Sequence, residues 1–155
     1  MDPTADLPKL TEGQLAKFQD EWNAHPGMRH MGVRLDFSTP GVVRALVDPV
    51  REFHRGGMGT DAVNGAVIAG VFDLVIGFSG YVHTGGGRVG VAQLSMQYIR
   101  PVAGDRFQVE GRVVRSGKTM IFATAQLEDE RGSVCARCDG IVSVRGGEMP
   151  APPAF

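Results

Sequence analysis

One carboxylate stands in the middle of the most apolar segment of this chain. The segment opens at Asn64 and runs to Val82, and Asp73 is its only charged residue. A helix over these residues would be apolar on every side, which predicts that Asp73 is buried. A buried carboxylate is costly unless it is paired, hydrogen-bonded or protonated. Asp73 is therefore the first candidate for a general base or nucleophile, and a structural Asp that caps backbone amides is the alternative.

The start of the same segment offers hydrogen-bond donors. Asn64 is a favoured helix N-cap residue, and the first-turn N–H groups of Gly65 and Ala66 would lack intrahelical partners. Together with the positive end of the helix dipole, these amides can polarise a carbonyl group. Gly65 has no side chain, so a ligand can approach the backbone closely. Asn64 is either part of that site or only an N-cap.

Other residues that could do chemistry are weaker candidates. His54 lies in a Gly-rich stretch and could line a pocket, Asp61 is typical of a solvated loop, and His83 ends the helix, where His interacts favourably with the dipole. Cys135 and Cys138 have C-x-x-C spacing. Strand residues three apart point to opposite faces, and no second pair completes a zinc site. We therefore predict no metal site.

Composition argues against several classes of function. The 155 residues are enough for one domain with a real core. With 16 basic and 17 acidic residues and no basic stripe, neither nucleic acid nor an anionic membrane is a predicted partner. The acidic N-terminus has no apolar core and two cysteines make no disulfide scaffold, which predicts a cytoplasmic protein without a secretory signal.

The elements that must position the candidate residues follow from periodicity and turn signals. Thr11 and Gln14 have capping-box spacing for a short helix that ends before Pro26. Beyond it, strands are predicted over 31–37 and 42–47, the long helix starts at Asn64, and further strands are predicted over 88–100, 105–115, 118–128 and 133–145. Residues 1–9 and the Pro-rich tail 146–155 are predicted to be disordered, which leaves one domain over 10–145.

This order predicts an α+β fold in which an antiparallel sheet wraps around one long buried helix, with an extra helix at the N-terminus. The strands that follow the helix suit antiparallel meander pairing better than βαβ units. Residues 65–82 are also about long enough to cross a bilayer. The central Asp and the lack of an aromatic belt or basic flanks favour a helix buried inside a soluble protein.

Four segments, in this order, resemble the hotdog-fold acyl-CoA thioesterases, in particular the branch related to phenylacetate-pathway and 4-hydroxybenzoyl-CoA thioesterases. They are the helix start Asn64-Gly65-Ala66 with Asp73 nine positions after Asn64, the strand VAQLSMQYIRP over 91–101, the hairpin VRSGKT over 114–119 and the closing segment GSVCAR over 132–137. The resemblance extends over about 31–144. Two residues depart from the family pattern: Asn64 replaces a His, and Val91 stands where several relatives have a Thr or Ser near the catalytic water.

The resemblance implies a hydrolase of acyl-CoA thioesters with no cofactor, since coenzyme A is part of the substrate. It implies that Asp73 acts as base or nucleophile and that Gly65, with Asn64 beside it, binds the carbonyl oxygen. The implied contacts to the coenzyme A phosphates are Arg100, Arg115 and Lys118, which are otherwise ordinary surface charges. Residues that could meet the acyl group, and that are equally typical of a plain core, are Met58, Phe72 and Ile76.

The helix geometry leads to a quaternary prediction. Gly65 and Asp73 are eight residues apart, or about 12 Å along a straight helix, so one carbonyl cannot touch both. Two such helices packed antiparallel about a two-fold axis would bring Asp73 of one chain near Gly65 of the other. We therefore predict a homodimer with its site at the interface. The resemblance implies the same arrangement, often with dimers paired into tetramers.

The departures at Asn64 and Val91 keep two other functions open. One is a non-catalytic module that binds acyl-CoA, and the weaker one is a hydratase or dehydratase of the same fold. The acyl group, aromatic or aliphatic, and its carrier, coenzyme A or acyl carrier protein, also stay open.

Overall fold

The computed structural model describes residues 9–148, apart from the side chains of Met58 and Glu148. The helices of this part of the chain are α1 (Glu12–Ala24), α2 (Pro26–Met31) and α3 (Gly65–His83), with two single-turn 3-10 helices at Glu52–His54 and Gly57–Gly59. The strands are β1 (Arg34–Asp36), β2 (Val43–Val47), β3 (Gly87–Tyr98), β4 (Phe107–Ser116), β5 (Met120–Asp129) and β6 (Val134–Glu148).

The strands form one antiparallel sheet that packs against α3. Their order across the sheet is β1-β2-β4-β5-β6-β3, and α3 contacts β2, β3, β4, β5 and β6. The face of α3 turned to the sheet is fully buried, with Val71, Phe72, Val75 and Ile76 each at 0% exposure. The predicted α+β architecture, a sheet around one long helix with a helical N-terminus, is confirmed.

Glycines in the sheet let α3 lie unusually close to the strands. A Cβ added to Gly111 would lie 2.4 Å from Val75 Cγ1, and one added to Gly140 would lie 2.5 Å from Ile76 Cγ2. Real Cβ atoms do not approach other atoms that closely, so both strand positions require glycine. The helix is thereby fixed over the centre of the sheet.

The N-terminal region contains the predicted helix and a second one that was not predicted. Thr11 and Gln14 form the capping box of α1 as expected. The strand predicted over 31–37 is wrong at its start, because Met31 ends α2. Pro26 at the first turn and the His25 ring, which accepts from Gly27 N–H, start α2, and Gly32 in the left-handed conformation (φ 65°) ends it. Only then does β1 begin.

The two edges of the sheet differ. At β1, the Asn23 amide pairs with both backbone groups of Leu35, and Gln19 accepts from Phe37 N–H, so side chains of α1 cover that edge. At the opposite edge, β3 pairs only with β6 within the described part of the chain. The predicted meander holds for β4, β5 and β6 but is wrong for β3. The segment after β3 instead crosses beneath the N-terminus of α3, where Val63 N–H donates to Val102 C=O.

The long apolar helix matches the prediction in position and differs from it in burial. Among the described residues, α3 is the one helix whose length and mean hydropathy (19 residues, 1.8) would suffice for a membrane crossing, a test that core helices also pass. Eight of its residues are buried in the protein interior. The expectation that it is buried on every side is wrong, because Ala66 and Asp73 are exposed in the single chain.

The last strand is longer than predicted, since β6 continues to Glu148, three residues past the end expected at 145. Disorder was predicted for residues 1–9 and 146–155; of these, 1–8 and 149–155 fall outside the described residues.

Candidate active site

Asp73 lies on the one stripe of α3 that the sheet does not cover. The stripe consists of small residues around the carboxylate: exposed Ala66 and half-buried Ala69 and Gly70. Although the Asp73 side chain is exposed, the surrounding protein raises its pKa above the ordinary value by desolvation. Desolvation favours the neutral form of a carboxyl group and makes its anion a stronger base. A second protein surface packed against this stripe would desolvate Asp73 further and raise its pKa more.

The N-terminus of α3 presents one free amide rather than the two that were predicted. The Asn64 side chain accepts from Ala66 N–H at 2.8 Å, and its carbonyl accepts from Val67 N–H at 3.0 Å. No described group accepts from Gly65 N–H. Asn64 is therefore the N-cap, as predicted, and by capping Ala66 it leaves the Gly65 amide as the donor that a ligand can reach.

A groove of about 730 Å³ opens beside this amide. The loop before α3 forms one wall and the segment after β3 forms the other. The residues that line it are Gly57, Thr60, Ala62, Val63, Asn64, Gly65, Ile68, Tyr98, Ile99, Arg100, Pro101 and Val102. The lining is mainly apolar, with one guanidinium. A narrow apolar arm that ends in an anionic group would match this groove.

The loop wall of the groove is held by two side chains. The buried His54 ring accepts from Arg51 N–H through Nδ1 and contacts Met31 C=O through Nε2, at 2.9 and 2.7 Å. Its backbone carbonyl accepts from Asn64 N–H. Arg55 donates to the carbonyls of Asp61 and Gly104. His54 is thus a structural residue whose backbone carbonyl holds Asn64 at the start of α3, and it does not line the groove.

Asp73 and Gly65 of one chain do not form a common site. Two helical turns separate them, about 12 Å along the axis, and Asp73 is not among the residues that line the groove. In one chain the carboxylate and the amide donor are therefore too far apart to act on one carbonyl group.

A match to the Thioesterase superfamily covers residues 61–136, from the groove loop through α3 and β3 into β6. Over these residues the chain is similar to the thioesterase superfamily.

Several solved structures have the same fold as this chain. A thioesterase from Haemophilus influenzae matches at 15% identity and a TM-score of 0.74, over 89% of this chain and 92% of its own. The PaaI protein from the phenylacetic acid degradation operon of E. coli matches at 14% identity and a TM-score of 0.75, over 88% and 96%. A thioesterase family protein from Silicibacter pomeroyi matches at 21% and 0.72, over 86% and 98%. At these identities the likeness is one of fold. No curated protein sequence matches the chain.

The three cations predicted to bind phosphate lie at two ends of the protein. Arg100 lines the groove. Strand pairing through β5 and β6 aligns Arg115 with Gln93 of β3. Gln93 precedes Arg100 by seven residues, which corresponds to roughly 23 Å along a strand. Lys118 lies in the turn beyond Arg115. Within one chain, Arg115 and Lys118 are therefore on a different surface from the groove, and their role in binding stays a prediction.

The predicted acyl-contact residues do not line the groove as a group. Phe72 and Ile76 are fully buried beneath the sheet, and Ile76 packs on Gly140. The side chain of Met58 lies outside what the structure describes. Val91, the second departure from the family pattern, lies against Gly77, one turn after Asp73. Val91 therefore packs against α3 one turn beyond the residue that bears the carboxylate.

The remaining candidates have ordinary surroundings. Cys135 and Cys138 are free and buried, and desolvation raises the pKa of Cys138 to about 11. Across residues 9–148, no three His, Cys, Asp or Glu side chains are placed to hold a metal ion.

Tyr98 is a groove residue for which no role was predicted. Its ring lines the groove, and its hydroxyl donates to Gly65 C=O at 3.1 Å. The one sequence signal was an aromatic residue at the end of an edge strand, which by itself does not indicate contact with the helix.

Proposed function

We propose that this protein hydrolyses acyl-CoA thioesters at a site built from two chains, with Asp73 of one chain and the Gly65 amide of the other. The observation that carries the proposal is the Gly65 N–H, which lines the groove without an acceptor among the described residues and lies about 12 Å along the helix from Asp73 of the same chain. The match of residues 61–136 to the Thioesterase superfamily supports the reaction class.

The shape of the uncovered surface supports the pairing of two chains. The stripe of α3 around Asp73 is made of Ala66, Ala69 and Gly70, whose small side chains let a second helix come close. If the two-fold axis passes near Ala69, midway between Gly65 and Asp73, each carboxylate reaches the partner helix's first turn. The same axis would place the open β3 edge of one chain beside that of the other.

The reaction then follows from the two groups. The Gly65 amide and the positive helix end stabilise the negative charge that develops on the thioester oxygen. The Asp73 carboxylate either takes a proton from a water that attacks the carbonyl carbon or attacks that carbon itself. Collapse of the tetrahedral intermediate breaks the C–S bond, and coenzyme A leaves as the thiolate. In the nucleophilic route, water then hydrolyses the mixed anhydride and restores the carboxylate.

The groove supports coenzyme A as the carrier. The pantetheine arm is narrow and would follow the apolar walls away from Gly65. Arg100 lines the groove, and its guanidinium would bind a phosphate there. The protein would act as a homodimer, or as a dimer of such dimers, in the cytoplasm.

A thiol-release assay tests the proposal. The native chain and Asp73→Asn are compared on a panel of aromatic and aliphatic acyl-CoAs, and we expect at least a hundredfold loss of kcat in the variant because it lacks a base or nucleophile. The matched control is Asp20→Asn, which changes an exposed carboxylate on α1 and should leave kcat unchanged. Oligomer size is checked for each protein.

Two outcomes would contradict hydrolysis by Asp73. If Asp73→Asn retains native turnover, the carboxylate is structural. If the native chain binds acyl-CoA but releases no thiol, the protein is the non-catalytic binding module instead. Asn64 and Val91, the two departures from the family pattern, would then account for the lost chemistry.

A further inference from the structure

Tyr98 contacts the residue whose amide the proposed function uses as a donor. Its hydroxyl donates to Gly65 C=O at 3.1 Å, and a Cβ added to Gly65 would lie 3.6 Å from its ring. The phenol therefore lies directly over the first residue of α3. At 54% exposure it is accessible from the groove.

The other polar side chains of the groove are less suited to donate to a carbonyl bound at Gly65. Thr60 already donates its hydroxyl to Gly57 C=O at 2.6 Å. Asn64 is committed through Oδ1 to the Ala66 amide. Arg100 is exposed, with its backbone bonded to Cys135 C=O. Among the side chains that line the groove, Tyr98 is the one whose hydroxyl contacts Gly65.

The bond that Tyr98 now makes is one it can give up. Gly65 C=O lies at the first position of α3 and is the acceptor for the N–H four residues later, so the helix bond remains when the phenol leaves. In a helix the N–H and the C=O of one residue point in opposite directions along the axis. The exposed phenol therefore has to turn about its own side-chain bonds, toward the N-terminal end of α3, to move its hydroxyl from Gly65 C=O to an oxygen bound at Gly65 N–H.

We propose that Tyr98 is a catalytic residue, whose hydroxyl donates the second hydrogen bond to the thioester oxygen beside the Gly65 amide. The inference rests on the proposed function and deepens it. The hydroxyl keeps its proton throughout, since it only stabilises the oxygen while negative charge develops there and while the C–S bond breaks. Preorganised donors of this kind act mainly on the transition state.

Tyr98→Phe tests the proposal because it removes the hydroxyl and keeps the ring. With benzoyl-CoA and hexanoyl-CoA as substrates, we expect kcat to fall at least tenfold while KM changes less than threefold. The matched control is Tyr81→Phe. Tyr81 is the other tyrosine of the chain and stacks on Phe18 at 4.1 Å, away from the groove, so this variant should keep native kcat. Equal turnover by native protein and Tyr98→Phe would overturn the proposal.

A binding measurement separates this proposal from hydrolysis itself. Phenacyl-CoA carries a ketone, and phenethyl-CoA has a methylene in its place; neither can be hydrolysed. By calorimetry, we expect the native chain to bind the ketone at least fivefold more tightly, and we expect Tyr98→Phe to lose most of that preference. This result would support Tyr98 as the carbonyl donor even in a protein that shows no turnover. An unchanged preference in Tyr98→Phe, or no binding of either compound, would overturn it.

Discussion

Gly65 occupies the first helical position of α3, the one place where proline is well tolerated in a helix. Its N–H has no intrahelical acceptor, and the preceding Asn64 has an extended conformation (φ −63°, ψ 135°) that suits a residue before proline. A single substitution can therefore delete the proposed oxyanion donor without breaking the helix.

We predict that Gly65→Pro lowers kcat by about a hundredfold or more, which is the usual cost of losing one such donor. Gly65→Ala is the control because it keeps the N–H and places a Cβ at ordinary contact distance from the Tyr98 ring. It should stay within a few-fold of native turnover. Thermal melts and circular dichroism verify that both variants fold. Equal losses in both would mean that backbone space, and not the amide, matters at this position.

Individual site residues were predictable where local sequence determines them. Asn64 as N-cap follows from residue type, and Asp73 stands out against the apolar residues around it. The sequence did not reveal that the Asn64 side chain would occupy the Ala66 amide, since that depends on its rotamer. It also did not reveal Tyr98, whose contact with Gly65 joins residues 33 positions apart.

At the scale of elements, the distance between α3 and the sheet depends on two glycines that no sequence motif marks. Gly111 and Gly140 lie within strands β4 and β6, where glycine is usually unfavourable. In the structure, Val75 of α3 packs against Gly111 and Ile76 packs against Gly140. The depth of this contact places both ends of α3, and so the Gly65 amide, relative to the groove.

We predict that Gly140→Ala destabilises the protein by about 1–3 kcal/mol, the usual range for overpacking a core. The added methyl would lie 2.5 Å from Ile76 Cγ2, so the helix must shift. Gly90→Ala is the control on β3, where the nearest atom to an added Cβ is Ser143 Oγ at 3.9 Å, and it should be neutral or slightly stabilising. Urea unfolding at one fixed protein concentration measures both. Similar urea midpoints for the two variants would show that the close packing of α3 does not depend on Gly140.

The elements themselves were largely predictable, but their pairing was not. The capping box of α1, the start of α3 and six strands follow from local patterns. The position of β3 beside β6 does not, because the strands after α3 have similar alternation and no local signal selects the partner. The short helix α2 escaped prediction because its start depends on the His25 ring accepting from Gly27 N–H.

At the scale of the whole molecule, the sheet has one covered edge and one open edge. The side chains of Asn23 and Gln19 satisfy backbone groups at the β1 edge. β3 has a neighbour on one side only among the described strands, and the uncovered stripe of α3 with Asp73 completes the same face. An open edge beside a stripe of small residues is a surface that favours self-association. A single sequence does not display it, since exposure is a property of the assembled fold.

A site shared between two chains makes a prediction that a site within one chain does not. Asp73→Asn and Gly65→Pro each disable both sites of a homodimer, because every site needs one intact residue from each chain. In a mixed dimer of the two variants, one site combines both defects and the other combines native Asp73 with native Gly65. Random pairing makes half of the dimers mixed, each with one intact site of two, so co-expression should restore roughly a quarter of native turnover per chain. Differently tagged chains and tandem purification isolate the mixed dimer, which should show about half. Mixed dimers that form in good yield and remain as inactive as the parents would contradict a shared site and require both groups to act within one chain.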